Sequence, residues 1–275
     1  MLATDYVAKS PADGYTLTFS LSTALLINQF LYSKMPYNPQ TDLLMLSEIA
    51  SAAVVLVAHE SVPATDMKSL LAWVKANKGK VSYGSWGTGS YAHLGGAYMS
   101  KVTDSEMTHI AYKGEAPMMQ DMLGGRLQFC FTSALNAKQH IESGRIKAIG
   151  VTGKSRMQVL PNVPTIHEQG VQDDAYLVTG WLGMAAPRNL PAAVTDTLYQ
   201  ALKEAGRDPM VRERLAAAGF LPVFSSPSEF EKSYKADMTV WKNLVDIAGA
   251  QLGVQVFFPR PLNAMEQAST QQSEP

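Results

Sequence analysis

The chain reads as an α/β protein, and three observations carry that reading. Short β-branched runs alternate with helical patterns between residues 66 and 151, glycine follows the helical patterns, and the strand-to-strand spacing is that of parallel pairing with right-handed crossovers. The 275 residues are 46% hydrophobic and 17% charged, with a formal net charge of −1. That is enough apolar surface for a core and too little charge for disorder. The length suits one large domain or two modest ones.

Taken in order, Pro11-Ala12-Asp13-Gly14 makes a turn, with Pro to fix φ and Gly to take a positive one, and feeds a strand at 15–20. A helix is expected from Ser22 or Thr23 to Tyr32, and Pro36-Tyr37-Asn38-Pro39 breaks the pattern. The apolar, β-branched run 54–58 reads as a buried strand. Helices then follow at 66–77, 90–101, 115–123 and 133–143, alternating with strands at 81–84, 107–111, 127–131 and 147–151. Gly79, Gly124-Gly125 and Gly144 supply the left-handed exits. Beyond Val151 the pattern loosens. Thr165 and Glu168 have capping-box spacing and predict a short helix. An apolar stretch at 177–186 is interrupted by Gly180 and Gly183, and helices follow Pro191 and Asp208. The last helix is the best signposted: Ser226-Pro227-Ser228-Glu229 supplies N-cap, first-turn proline and box glutamate. Phe230, Tyr234, Trp241, Leu244, Val245 and Ala248 give it one apolar face. Residues 253–275 read as a loose polar tail.

Several functions are excluded at this level. A near-neutral charge without a basic run argues against nucleic acid as the main partner. The richest apolar run, 49–58, is about half the ~20 residues of a membrane span, so no direct membrane insertion is expected. Cys130 is alone, and His59-Glu60 lacks a second His at ligand spacing, so no metal is expected. The opening MLATDYVAKSPADGY has neither an apolar h-region nor a small-residue cleavage site. Gly87, Gly89 and Ala92 spell G-x-G-x-x-A, but the next strand ends His109-Ile110-Ala111 without a ribose-binding acid, and no cofactor is expected. Gly84-Ser85-Trp86-Gly87 fails G-x-S-x-G, and His93 reads as packing or bonding locally, so no catalytic residue is assigned. Met118, Met119 and Met122 read as core.

Three strand-to-helix turns share small or hydroxyl residues ahead of a helix: Ser85 to Ser90, Tyr112 to Ala116, and Thr132-Ser133. Ligands of open α/β sheets bind at the carboxyl ends of strands, where helix starts offer free N–H groups to an anion. Side by side, these turns form a cradle of carboxylate or phosphate size. Taken singly, each is an ordinary capped helix start.

The stretches VAKSPADGYTL (7–17), LYSKMPYNPQTD (31–42), YGSWGTGSYAHL (83–94), IAYKGEAPMMQDMLGGRLQF (110–129), HIESGRIKAIGVTGKSR (140–156), LPNVPTIHEQG (160–170) and GWLGMAAP (180–187) occur in one order. Together they resemble the periplasmic substrate-binding proteins of tripartite tricarboxylate transporters, the Bug or TctC-like family. The resemblance implies a two-lobed, periplasmic-binding-protein-like (type II) α/β fold. One lobe would combine 1–58 with 180–252, and the other would be the continuous 59–179. It implies capture of a small carboxylate between the lobes, without enzymatic turnover, and delivery to membrane permease subunits. Carried over by position, the ligand-facing groups are Ser85, Gly87, Thr88, Gly89 and Ser90, then Lys113, Gly114, Glu115 and Ala116, then Thr132 and Ser133. Ser22 and Thr23 face them from the other lobe. Glu115 departs from the glycine-rich form of its turn and is expected to point into solvent, since a lining role would repel acids. Amino-acid-binding members often carry an Asp where Thr132 stands, so a plain mono- or dicarboxylate is expected. The family begins with a signal peptide, a strand, a Gly-rich ligand loop, a helix and a second strand ahead of ADGYTL. By comparison the first lobe is expected to be incomplete at its N-terminus, with unpaired strand edges, and the missing signal leaves export open. The other readings are a ligand-sensing subunit with the same clamp, a non-binding truncated remnant and, last, a small-molecule hydrolase.

Overall fold

The chain enters through a short helix, α1 (Leu2–Ala8), that buries Thr4 and Val7. Gly14 takes a φ of 90° in the turn that leads to β1 (Thr18–Leu21). Where one helix is expected over 22–32, the chain instead makes a π turn at Thr23–Ile27 and then α2 (Asn28–Leu31). Leu25, Leu26 and Ile27 are all buried there, more consecutive apolar side chains than one face of a regular helix covers. After α3 (Pro39–Asp42), capped by the Asn38 side chain, come β2 (Leu43–Ala52) and β3 (Val55–His59). The expected alternation follows, with ends shifted by one or two residues. Its elements are α4 (Met67–Ala76), β4 (Ser82–Ser85), α5 (Tyr91–Thr103), β5 (Thr108–Ala111), α6 (Glu115–Leu123), β6 (Phe129–Thr132), α7 (Ala134–Glu142) and β7 (Ile146–Val151). The chain continues through α8 (Asp174–Leu177), β8 (Gly180–Pro187), α9 (Ala192–Ala205), α10 (Pro209–Ala217), β9 (Leu221–Pro222) and α11 (Pro227–Ala248). The computed structural model describes residues 1–253, so the tail read from the sequence lies, from 254 on, outside the described residues.

The strands form two sheets, one of order β1-β8-β2-β9 and one of order β5-β4-β6-β3-β7. Parallel pairing holds for β4 with β5 and with β6, but β3 runs antiparallel to both β6 and β7, so the larger sheet is mixed. β2 has no counterpart in the sequence reading. Its burial on both faces removes the alternation that marks a strand, and no turn residue separates it from β3. The chain changes sheet at Ala53-Val54, before β3, and again just ahead of Gly180. The strand at 55–59 therefore belongs to the larger sheet, ahead of the expected division after residue 58. The capping box at Thr165 forms its reciprocal bonds, Thr165 N–H to Glu168 Oε2 at 2.7 Å and Glu168 N–H to Thr165 Oγ1 at 2.9 Å. No helix follows it. Thr165 is bridged to Val151, and Gly170, at a φ of 84°, turns the chain away.

Helix α11 is closed by the reciprocal Ser226–Glu229 box and ends on Gly249 in the left-handed region. It packs on β2 and on α5, so one hydrophobic cluster runs from Trp181, Phe230 and Tyr234 through Trp241 to Tyr91 and Phe131. Two half-buried carboxyl groups lie where it meets the smaller sheet, Glu48 on β2 and Asp237 on α11 itself. Trp181 Nε1 donates to Asp237 Oδ2 at 3.0 Å, and Ser233 Oγ donates to Glu48 Oε2 at 3.4 Å. Burial, and secondarily the charge of Asp237, push Glu48 up to about 7. Burial raises Asp237 to about 6, against the opposing Trp181 bond. A carboxyl whose folded pKa exceeds its unfolded value holds its proton longer in the folded state, so its contribution weakens as pH rises. For Glu48 the loss starts near the unfolded value of 4.5 and is complete above about 7. Glu48→Gln is therefore expected to raise the thermal midpoint at about pH 8 and to leave it nearly unchanged at about pH 4, measured by circular-dichroism melts.

Candidate functional site

The order β5-β4-β6 brings the carboxyl ends of three parallel strands to one edge, with Tyr112 N–H donating to Ser85 O at 2.9 Å. The first turn is held from below. Ser85, fully buried, places Oγ 2.7 Å from His109 Nε2. Gly89 N–H donates to His93 Nδ1 at 3.1 Å, as the local role read for His93 implies, and the two imidazoles stack at 3.9 Å. Burial lowers the pKa of His93. Burial, then the neighbouring His93, lower His109 to about 4. Both rings stay neutral at neutral pH, and only an unprotonated Nδ1 can accept the Gly89 bond. Gly89 has a φ of 81°, and a Cβ there would stand 2.5 Å from Leu31 of α2, so glycine is required on both counts. Ser90 caps α5, accepting from His93 N–H.

The second and third turns meet through Glu115. Gly114, at a φ of 108°, sets the start of α6, and Lys113 and Ala116 are exposed. The Glu115 side chain reaches the amino end of α7. There Oε1 accepts from Ser133 N–H at 3.1 Å, Oε2 accepts from Ser133 Oγ at 2.6 Å, and Asn136 Nδ2 donates closely to the same Oε2. The expectation that Glu115 points into solvent is thus wrong. Free N–H groups and the positive end of α7 hold the carboxylate inside. Asn136, three residues into α7 from Ser133, was legible only as a helix-surface polar residue. Thr132 is fully buried, and its Oγ1 has no hydrogen-bond partner among the described residues.

Between the sheets lies a cavity of about 210 Å³, lined by Leu21, Ser22, Thr23, Ile27, the crossover 52–54, Trp86, Tyr91, Glu115, Ser133, Ala134, Gly180, 218–220 and Trp241. Of the residues expected to face a ligand, Ser22, Thr23, Glu115 and Ser133 border it; Ser85, Gly87, Thr88, Gly89, Ser90, Lys113, Gly114, Ala116 and Thr132 do not. Ser22 Oγ also accepts from Trp181 N–H at 3.4 Å, which ties the π turn to β8. Trp86, Tyr91 and Trp241 escaped the sequence reading, since aromatic residues next to a turn or on an apolar helix face are indistinguishable from core. Trp241 has a relative exposure of 0%, and its Nε1 has no hydrogen-bond partner among the described residues.

Two α/β sheets joined by chain crossovers, with a small polar-edged cavity between them, define the periplasmic-binding-protein class of fold. The chain belongs to the tripartite tricarboxylate transporter family receptors, whose family model matches residues 1–249. It is 32% identical over 247 residues to a UPF0065 protein of Agrobacterium vitis, covering 88% of this chain and 70% of that one. It is 30% identical over 253 residues to protein BugT of Bordetella pertussis, covering 92% and 77%. A solved R. palustris protein with adipate superposes with a TM-score of 0.76 at 29% identity, covering 92% of this chain and 84% of that one. No helix among the described residues is long and apolar enough to cross a membrane.

The buried imidazole pair yields a direct test. The His109 ring resonances are expected to titrate with a midpoint near pH 4, the value set by its burial and by His93. A free histidine at 6.5 binds protons that folded His109 refuses, so folding stability falls as pH drops through this interval. A pH series of two-dimensional NMR spectra reads the midpoint.

Proposed function

We propose that this protein is an extracytoplasmic receptor that captures a small carboxylate between two lobes and presents it to the membrane permease subunits of a tripartite transporter. The lobes in this reading are residues 1–53 with 180–252, and 54–179, following the sheet changes. The observation that carries the reading is the cluster of donors at α7. Ser133 N–H, Ser133 Oγ and Asn136 Nδ2 already hold one carboxylate, that of Glu115, at the cavity wall. These donors are uncharged and are occupied by Glu115, so this fold holds a carboxylate at the cleft with neutral groups alone. A ligand carboxylate is left to the other neutral groups of the wall, an arrangement without the tight ion pairing that would slow release. Family membership supports the transport role and the periplasmic setting. The neighbour solved with adipate supports a carboxylic acid as ligand class.

The reading is non-catalytic. The Ser85–His109 pair has nucleophile-like spacing, but Ser85 is fully buried and does not border the inter-sheet cavity, which supports a structural role for the pair. Its hydrogen bonds serve the turn.

Thermal-shift titration with mono- and dicarboxylates tests the proposal. A cognate acid is expected to raise the melting temperature progressively with the logarithm of its concentration above Kd, by about 2.7 kcal/mol of added stability at a hundredfold excess over Kd. A flat melting temperature with every carboxylic acid refutes the assignment.

A further inference from the structure

Among the described residues that line the inter-sheet cavity, Glu115 is the only charged one. The rest of the wall is hydroxyl, small, or apolar and aromatic, with Trp86, Tyr91, Phe220 and Trp241 close around it. Among the described residues, no lysine or arginine borders the space to neutralise a second anion. The Glu115 carboxylate is fixed by three donors at α7, two of them on Oε2, so Oε1 keeps unused acceptor capacity. A fixed carboxylate in a small, partly apolar cavity repels a dianion and attracts a cation, and aromatic faces around it strengthen the second preference.

We infer that Glu115 determines the specificity of this cleft, selecting a zwitterionic ligand whose ammonium group meets the Glu115 carboxylate and disfavouring a plain dicarboxylate. The inference rests on the carboxylate-receptor reading and narrows it. The carboxylate of the ligand is left to neutral groups on the remaining wall, where the hydroxyl residues Ser22 and Thr23 border the cavity. This reverses the preference for a plain mono- or dicarboxylate that the absence of an acid at Thr132 suggests. The acid is present, but it reaches the cleft from the neighbouring turn.

Isothermal titration with three matched acids at each chain length from three to six carbons separates the possibilities. Each length is tested as the monocarboxylate, the dicarboxylate and the ω-amino acid, on the full chain and on Glu115→Gln. Glutamine keeps an acceptor for Ser133 and removes the charge, and equal melting temperatures of the two proteins verify folding. At the best chain length, the amino acid is expected to bind the unmodified protein at least tenfold more tightly than the dicarboxylate. Glu115→Gln is expected to shrink that ratio at least tenfold, chiefly through weaker amino-acid binding. A dicarboxylate bound most tightly by the unmodified protein, or a ratio unmoved by Glu115→Gln, overturns the inference and leaves the carboxylate-receptor reading standing. No binding by either protein across the whole series overturns both.

Discussion

Helix α11 is the constraint on which the rest of the structure depends. Its 22 residues lie across β2 and α5, so both sheets share one apolar surface. Trp181 meets Phe230 edge-to-face at 4.9 Å at one end of that surface, and Tyr91 meets Trp241 edge-to-face at 5.8 Å at the other. Each such pair contributes about 0.5–1.5 kcal/mol beyond the area it buries. Tyr234 Oη donates to Leu25 O at 2.9 Å, which pins the π turn to the same helix. The cavity is consequently bounded on one side by this packed core, through Tyr91 and Trp241, and elsewhere by turns and crossovers. The energetic cost of this design is visible in Glu48 on β2 and Asp237 on the helix itself, two carboxyl groups whose pKa burial pushes upward.

The first strand-to-helix turn serves as scaffold. Its hydroxyl at Ser85 and its amide at Gly89 are engaged by two stacked, neutral histidines, and Leu31 closes over Gly89. Groups engaged in this way hold the start of α5 and Tyr91 in place. Preorganisation of this kind lets the cavity wall be built from weak, uncharged donors. The chemistry of the wall then comes from the other two turns, joined by Glu115 and Ser133. A single carboxylate on an otherwise neutral wall has a disproportionate effect, because no opposite charge on the lining residues offsets it.

Much of this was legible in the sequence. The helices and strands between 66 and 151, the capping box at Ser226, and the core role of Met118, Met119 and Met122 follow from periodicity and local hydrogen bonding. Such signals act within about four residues and survive whatever the distant chain does. The ordered run of motifs also identified the family and the type of fold.

What escaped depends on contacts between distant segments. β2 carries no strand-like alternation because both its faces are covered, and the box at Thr165 makes no helix because Val151 bridges it. Glu115 turns inward because donors 18 and 21 residues away offer its carboxylate better partners than its own turn does. His109 reaches Ser85 across two neighbouring strands, and Trp241 borders the cavity from a helix of the other sheet. By itself, then, the sequence determined the α/β class, the regular elements and the family, because these rest on short-range periodicity, caps and motif order. Only the tertiary structure decided which side chains face the cleft and with what charge, because that depends on which donors folding brings within hydrogen-bond reach.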